Sequence, residues 1–191
     1  NILASKKVLY QGHAVAAVAA TSPYLAEEAI KQIEVDYEVL PPVMDALQAM
    51  ENTSVLLHEN LFTEGLGEQS SSASNVASHS RHVKGDLGQG FKSADHVLER
   101  EYRCATVHQG YIEPHAVTAL WNLDGYLTLW VTTQGAFMVR TSVHQILGIP
   151  VSKLKVIPTE IGGGFGGKVP VYGEPVAALL SQKARRPVKV V

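Results

Sequence analysis

Apolar and polar positions alternate along this chain with two different periods. Ile33, Val35, Tyr37 and Val39 alternate with Glu34, Asp36 and Glu38, which turns four apolar side chains one way and three carboxylates the other. That period of two predicts a half-buried strand, and charges on a solvated face need no further chemistry. Upstream, the apolar run Ala14 to Ala20, inside Val8 to Thr21, predicts a buried strand. Ser22-Pro23 then offers a capping hydroxyl followed by proline at the first helical position, so a helix is expected to about Gln32. Leu98, Arg100, Tyr102 and Cys104 fall on one face of a third expected strand, with Arg100 interrupting it and Cys104 reading as one of its apolar members.

The second half of the chain is patterned more densely. Ala116 to Asn122 and Tyr126 to Thr133 are two β-rich runs joined across Leu123-Asp124-Gly125, and Asp-Gly is a strong hairpin signal. The second run delivers Thr132, Thr133 and Gln134 at its end. Val139, Val143, Ile146 and Leu147 then recur at helical intervals, with Gly148 where a left-handed C-cap is expected. Arg140 and His144 share a face of this helix and are expected to be solvated. Leu154 to Ile161 reads as a strand, Glu174 to Ala184 as a helix with Pro175 near its start, and Val188 to Val191 as a closing apolar run. Between Glu51 and His82 the chain turns Ser-rich, which predicts a linker; His58, His79 and His82 lie there without metal-ligand spacing. Strands and helices in this mixture give an α+β class.

Composition removes several functions. A chain of 191 residues, 46% hydrophobic and 18% charged, can build one or two soluble domains. The net charge is −2 and the 16 Lys and Arg are scattered, so neither nucleic acid nor an anionic membrane is expected as partner. No apolar run approaches the roughly 18 residues of a membrane helix and no secretion signal is visible, which points to the cytoplasm. One cysteine, Cys104, excludes an internal disulfide and any Cys-rich iron-sulfur or zinc site made by this chain alone. The chain begins with what reads as mid-domain sequence and stops inside an apolar run, so it is expected to be a piece of a larger subunit.

Candidate chemistry concentrates in Gly162-Gly163-Gly164-Phe165-Gly166-Gly167-Lys168. Glycine suits positive φ or the close approach of another group. Five glycines around one aromatic, between a strand and a helix, read as a cradle for a ligand; a flexible surface loop is the plainer alternative. The spacing from Gly162 to Gly167-Lys168 matches the phosphate-binding loop G-x-x-x-x-G-K, but Val169 and Pro170 stand where that loop needs Ser or Thr and the start of a helix. Exposed backbone amides in such a loop can stabilise negative charge.

The glycine loop, preceded by Glu113-Pro114 and by Thr132-Thr133-Gln134 with Gln134 and Phe165 31 positions apart, resembles the large molybdenum-binding subunit of the xanthine dehydrogenase and aldehyde oxidase family. Independently, Tyr10-Gln11-Gly12, Glu34 to Glu38 and Leu40-Pro41 resemble the later part of that family's hammerhead domain, and Gly85-Asp86-Leu87 through His96 its entry segment. The resemblance implies the C-terminal part of a hammerhead domain at 1–50, a Ser-rich linker at 51–83, and the first part of a mixed α/β molybdopterin-binding domain at 84–191.

It further implies a molybdenum-pterin cofactor, with the cytosine dinucleotide among its forms, that oxidises an aldehyde or aromatic heterocycle with water as oxygen source. Electrons would pass to iron-sulfur and flavin (FAD) centres on other domains or subunits. Gln134 would meet the cofactor's oxo ligand, Phe165 and Gly166 would lie beside the metal, and Gly162, Gly163, Gly164, Gly166 and Gly167 would permit close packing. Gln134 and Phe165 would neighbour the metal without ligating it. No residue here is expected to be the catalytic base, a glutamate that in the family lies beyond position 191, so this chain alone is expected to be inactive. Val169, where xanthine-oxidising relatives carry a carboxylate, favours a less polar substrate than a purine. The alternatives are a noncatalytic binding or assembly module of the same descent and a phosphate-binding α/β domain.

Overall fold

The computed structural model describes residues 2–51, 53–65 and 70–191. They form two compact units: one joins the residues up to Glu34 with Ala105–Val191, and the other runs Val35–Cys104.

The first unit is built on a mixed four-stranded sheet. Strands β1 (Val117–Trp121) and β2 (Leu127–Val131) pair antiparallel, with Val117 opposite Val131 and Trp121 opposite Leu127. Their turn closes through Gly125, at φ +82°, whose N–H donates to Asn122 O. Helix α4 (Ala136–Leu147) leads through a one-turn 3-10 segment to β3 (Leu154–Pro158), which lies parallel to β2. Helix α5 (Glu174–Ala184) then leads to β4 (Val188–Val190), antiparallel to β1, so the order across the sheet is β3-β2-β1-β4. Earlier in this unit, helix α1 (Pro23–Ile30) starts where expected, with Ser22 Oγ accepting from Leu25 N.

Period-two burial fixes which face of the sheet is covered. Leu127, Leu129 and Val131 are buried on β2, and Val117 and Ala119 on β1, against Val139 and Val143 of α4 and Ala177 and Ala178 of α5. Each fully buried branched side chain stabilises by roughly 1.5–3 kcal/mol relative to exposure, so this layer holds the unit together. Ser181 ties α5 to the sheet: its hydroxyl accepts from Trp121 N and donates to Arg186 O.

Arg140 and His144 are not the solvated pair expected. Arg140 donates from Nε to Leu154 O (3.0 Å) and from Nη2 to Val151 O (2.7 Å), and His144 Nδ1 lies 2.5 Å from Ile149 O. Both tie α4 to the chain that follows it by bonding backbone carbonyls of the turn and of the first residue of β3.

The second unit has no fully buried residue among those described. Polar side chains order it. Asp45 caps α2 (Ala46–Ala49) and Asp86 caps α3 (Leu87–Ser93). Asn75 accepts from Leu57 N and donates to Ala49 O and Val55 O. Isolated bridges join Phe62 to Ala73 and Glu64 to Ser78 within the Ser-rich stretch.

Three expected strands do not form. Residues 14–20, 33–39 and 98–104 carry no ladder, Val39 and Leu98 are 91% and 81% exposed, and Cys104 is exposed rather than packed in a strand. Alternation prepares a face for burial, but a strand also needs a neighbour to complete its hydrogen bonds, and no described segment supplies one. No helix among the described residues is long and apolar enough to cross a membrane.

Candidate functional site

The site grows from the end of β2. Thr132 and Thr133 are buried there. Thr132 Oγ1 accepts from Ala116 N, while Thr133 Oγ1 donates to Lys168 O and accepts from Gly135 N, each at 3.0 Å. These bonds lock the strand end to the beginning of α4 and to the far end of the glycine loop. Gln134, held in between, donates its own N–H to Lys168 O (3.0 Å).

The Gln134 side chain folds onto the loop. Its Oε1 accepts from Gly166 N (2.9 Å) and Lys168 N (3.2 Å). Two donors require the oxygen to face them, which assigns the orientation of the carboxamide. The Nε2 group consequently points away from these donors, and it has no hydrogen-bond partner among the described residues. The structure therefore brings Gln134 together with Gly162, Gly163, Gly164, Phe165, Gly166 and Gly167 in one place.

Much of the glycine content has an internal cause, which corrects the expectation that a ligand would account for the run. A Cβ on Gly164 would lie 2.6 Å from Gln134 Oε1, and Gly166 sits at φ +89°. Gly162 and Gly167 meet Glu113 and Tyr111 in the same crowded way. Gly167 N donates to Gly164 O (2.7 Å), closing a tight turn over Phe165. Phe165 itself takes φ +49° with its side chain 72% exposed, an uncommon conformation for a residue bearing a Cβ. The Gly166 N–H is already engaged by Gln134, so it is not one of the free backbone donors that the sequence suggested.

Lys168 is turned inward. Its side chain is fully buried, with Nζ 2.5 Å from Glu113 Oε2 and 5.0 Å from the centre of the Tyr111 ring. An ammonium so engaged cannot reach a phosphate, and α5 begins only at Glu174, so the loop does not work as a nucleotide cradle. Glu113 also accepts from Gly162 N (2.7 Å). The Lys168 bond and then the Gly162 N–H hold its carboxyl below the usual carboxylate range.

His115 bonds Tyr111 Oη through Nε2 (2.6 Å), and burial, with the Lys168 and His108 charges, pushes its ring toward the neutral form. Glu174 is buried at the start of α5, accepting from Tyr172 N (2.6 Å), and its pKa is raised by burial, an effect that this bond opposes. Tyr111 and the inward-facing Lys168 were missed as partners in the sequence. The available signal was a lone acid, Glu113, two residues after an aromatic and just ahead of a strand.

Known proteins share this arrangement of sequence. The family model for the molybdopterin cofactor-binding domain matches residues 69–191, and that for the aldehyde oxidase and xanthine dehydrogenase a/b hammerhead domain matches residues 1–41. The carbon monoxide dehydrogenase large chain of Afipia carboxidovorans is 36% identical over 188 residues, 94% of this chain and 23% of that protein. The nicotinate dehydrogenase large molybdopterin subunit of Eubacterium barkeri is 32% identical over 189 residues, 99% of this chain and 41% of that protein. Reconstituted CO dehydrogenase from Oligotropha carboxidovorans superposes with a TM-score of 0.80 at 36% identity, over 98% of this chain and 24% of that one. The chain thus spans between 23% and 41% of the length of these relatives.

Proposed function

Because this chain belongs to the molybdopterin cofactor-binding domain family, preceded by sequence that matches the family's hammerhead domain, we propose that it forms part of the cofactor site of a molybdenum hydroxylase large subunit. The observation that carries this is the Gln134 carboxamide, anchored through its oxygen to Gly166 and Lys168 so that its NH2 faces outward.

The donors gathered here are uncharged. Beside Gln134 Nε2, the N–H groups of Gly163 and Phe165 have no partner among the described residues, and those residues include no group of three His, Cys, Asp or Glu able to hold a metal. Neutral donors of this kind fit an oxygen-bearing metal centre carried by its own organic cofactor better than a metal gripped by side chains. The molybdenum-pterin group, when bound, supplies the redox chemistry by which water provides the oxygen and two electrons leave the substrate. The chain's part would be to hold and orient: Gln134 would donate to an oxygen of that centre, Phe165 and Gly166 would lie beside it, and Gly166, with no atom within 4 Å of where its Cβ would stand, leaves room for it. No residue of this chain takes the role of catalytic base.

The substrate fitting this surface is a small uncharged carbon compound, an aldehyde or aromatic heterocycle, since Lys168 is neutralised by Glu113 and Val169 brings no carboxylate. Among the relatives, one is named for carbon monoxide and one for nicotinate, both small molecules. Iron-sulfur and flavin subunits, the remainder of the large subunit, the cytosine dinucleotide form of the pterin and a cytoplasmic location complete the proposal. Boundaries at 1–50, 51–83 and 84–191 belong to it as well.

The test is to purify the full-length protein with its partner subunits and to measure bound molybdenum and pterin, then oxidation of aldehydes and N-heterocycles in isotopically labelled water. Label in the product and its loss in Q134A are the expected results. A full-length protein without molybdenum would end this reading, and one that binds the cofactor but oxidises nothing would be a noncatalytic module.

A further inference from the structure

One carboxylate oxygen touches both ends of the glycine loop. Glu113 Oε2 accepts from Gly162 N at 2.7 Å and from Lys168 Nζ at 2.5 Å, so the first and last residues of the loop are tied to a single atom lying ahead of β1 in the chain. The same short segment supplies the surface against which the loop is moulded. A Cβ at Gly162 would come 2.8 Å from Glu113 Cβ, one at Gly163 3.3 Å from Tyr111 Cβ, and one at Gly167 2.6 Å from Tyr111 Cε1 and 2.9 Å from Gln109 Oε1. Tyr111 is itself held by its 2.6 Å bond to His115. Gln134 grips the same loop through the N–H groups of Gly166 and Lys168. Lys168 is the residue common to both anchors: its backbone N–H meets Gln134 and its ammonium meets Glu113.

We propose that Glu113 and Lys168 form a positioning pair that fixes the glycine loop on Tyr111 and thereby sets where the free NH2 of Gln134 points. The pair rests on the cofactor reading above only for what that NH2 faces. Its logic is that of a buried ion pair. Removing Glu113's charge leaves a fully buried ammonium without compensation, whereas removing both charges leaves an apolar stem of similar size against an aromatic ring. Removing only Lys168's charge is milder, because Glu113 is partly exposed, keeps Gly162 N as a donor and can be solvated.

The experiment compares E113Q, K168M and the double variant E113Q/K168M in the full-length protein with its partner subunits. Amide hydrogen exchange over residues 162–168 is the first readout and bound molybdenum per large subunit the second. E113Q is expected to speed exchange at Gly166 and Lys168 roughly tenfold, K168M less, and the double variant to return within about threefold of wild type.

A double variant as loose as E113Q would overturn the pair, since the shape of Glu113 and not charge balance would then hold the loop. Loosened exchange in E113Q with undiminished molybdenum would overturn the positioning role. If wild type holds no molybdenum, the cofactor reading fails by itself, and exchange still decides whether the pair fixes the loop.

Discussion

Between Val117 and Val190 alternating apolar residues meet partners: β2 lies between β1 and β3, two helices cover one face, and Leu127, Leu129, Val139 and Val143 are wholly buried. Between Val35 and Cys104 the chain shows comparable alternation and equally good helix caps, yet no described residue is fully buried and the order rests on Asn75, Asp45 and Asp86. Hydrogen bonds of this sort specify local geometry, each contributing a net of about 1 kcal/mol. Excluding water from apolar surface is what makes one region resist unfolding as a unit, and the other should open piecemeal.

The sharpest way to break that contrast is Leu129→Ala, which should cost about 3 kcal/mol in urea unfolding by emptying the centre of β2. A cost under about 1 kcal/mol would mean the sheet is no better packed than the other unit. Gly164→Ala should come next. The new methyl would displace the Gln134 carboxamide and lose its two bonds, for about 2 kcal/mol, seen as faster exchange in residues 162–168 with protection of β2 retained.

Asn75→Ala should cost about 1 kcal/mol and show as limited proteolysis around residues 55–76, leaving the sheet's melting temperature unmoved. The smallest effect concerns acid. Glu113's carboxyl is held below its ordinary range, so its stabilising contribution is present above the ordinary carboxylate pKa and is lost as pH falls through the depressed value. The difference in melting temperature between wild type and E113Q should therefore be greatest near neutral pH and vanish in acid. A gap that widened on acidification would contradict the assignment.

Legibility in the sequence follows the same division. The Asp124-Gly125 turn, the Gly148 cap, the proline at the start of α5 and the apolar faces of α4 and α5 are local signals whose partners all lie within the chain, and these elements stand where expected. Alternation at 33–39 is just as clear, and at 98–104 only Arg100 interrupts it, but alternation marks a face and says nothing of a neighbour. At the site, the loop could be named from its run of glycines and Gln134 from the resemblance of its short motif to a known family's. Their mutual crowding could not be read, since Tyr111 and Glu113 reach the loop from some 50 positions away in the chain. Arg140 and His144 were misread for a related reason: the carbonyls they satisfy leave no mark in the sequence.

Phe165 carries a final consequence. Among neighbours that are all glycine, it alone bears a side chain while standing at φ +49°, an arrangement that glycine or asparagine would adopt more cheaply. Selecting variants for thermal tolerance alone should accordingly enrich glycine or asparagine at position 165. On the proposed role of the loop beside a bound cofactor, selecting for turnover should keep the ring, so the two enrichment profiles should separate at this one codon.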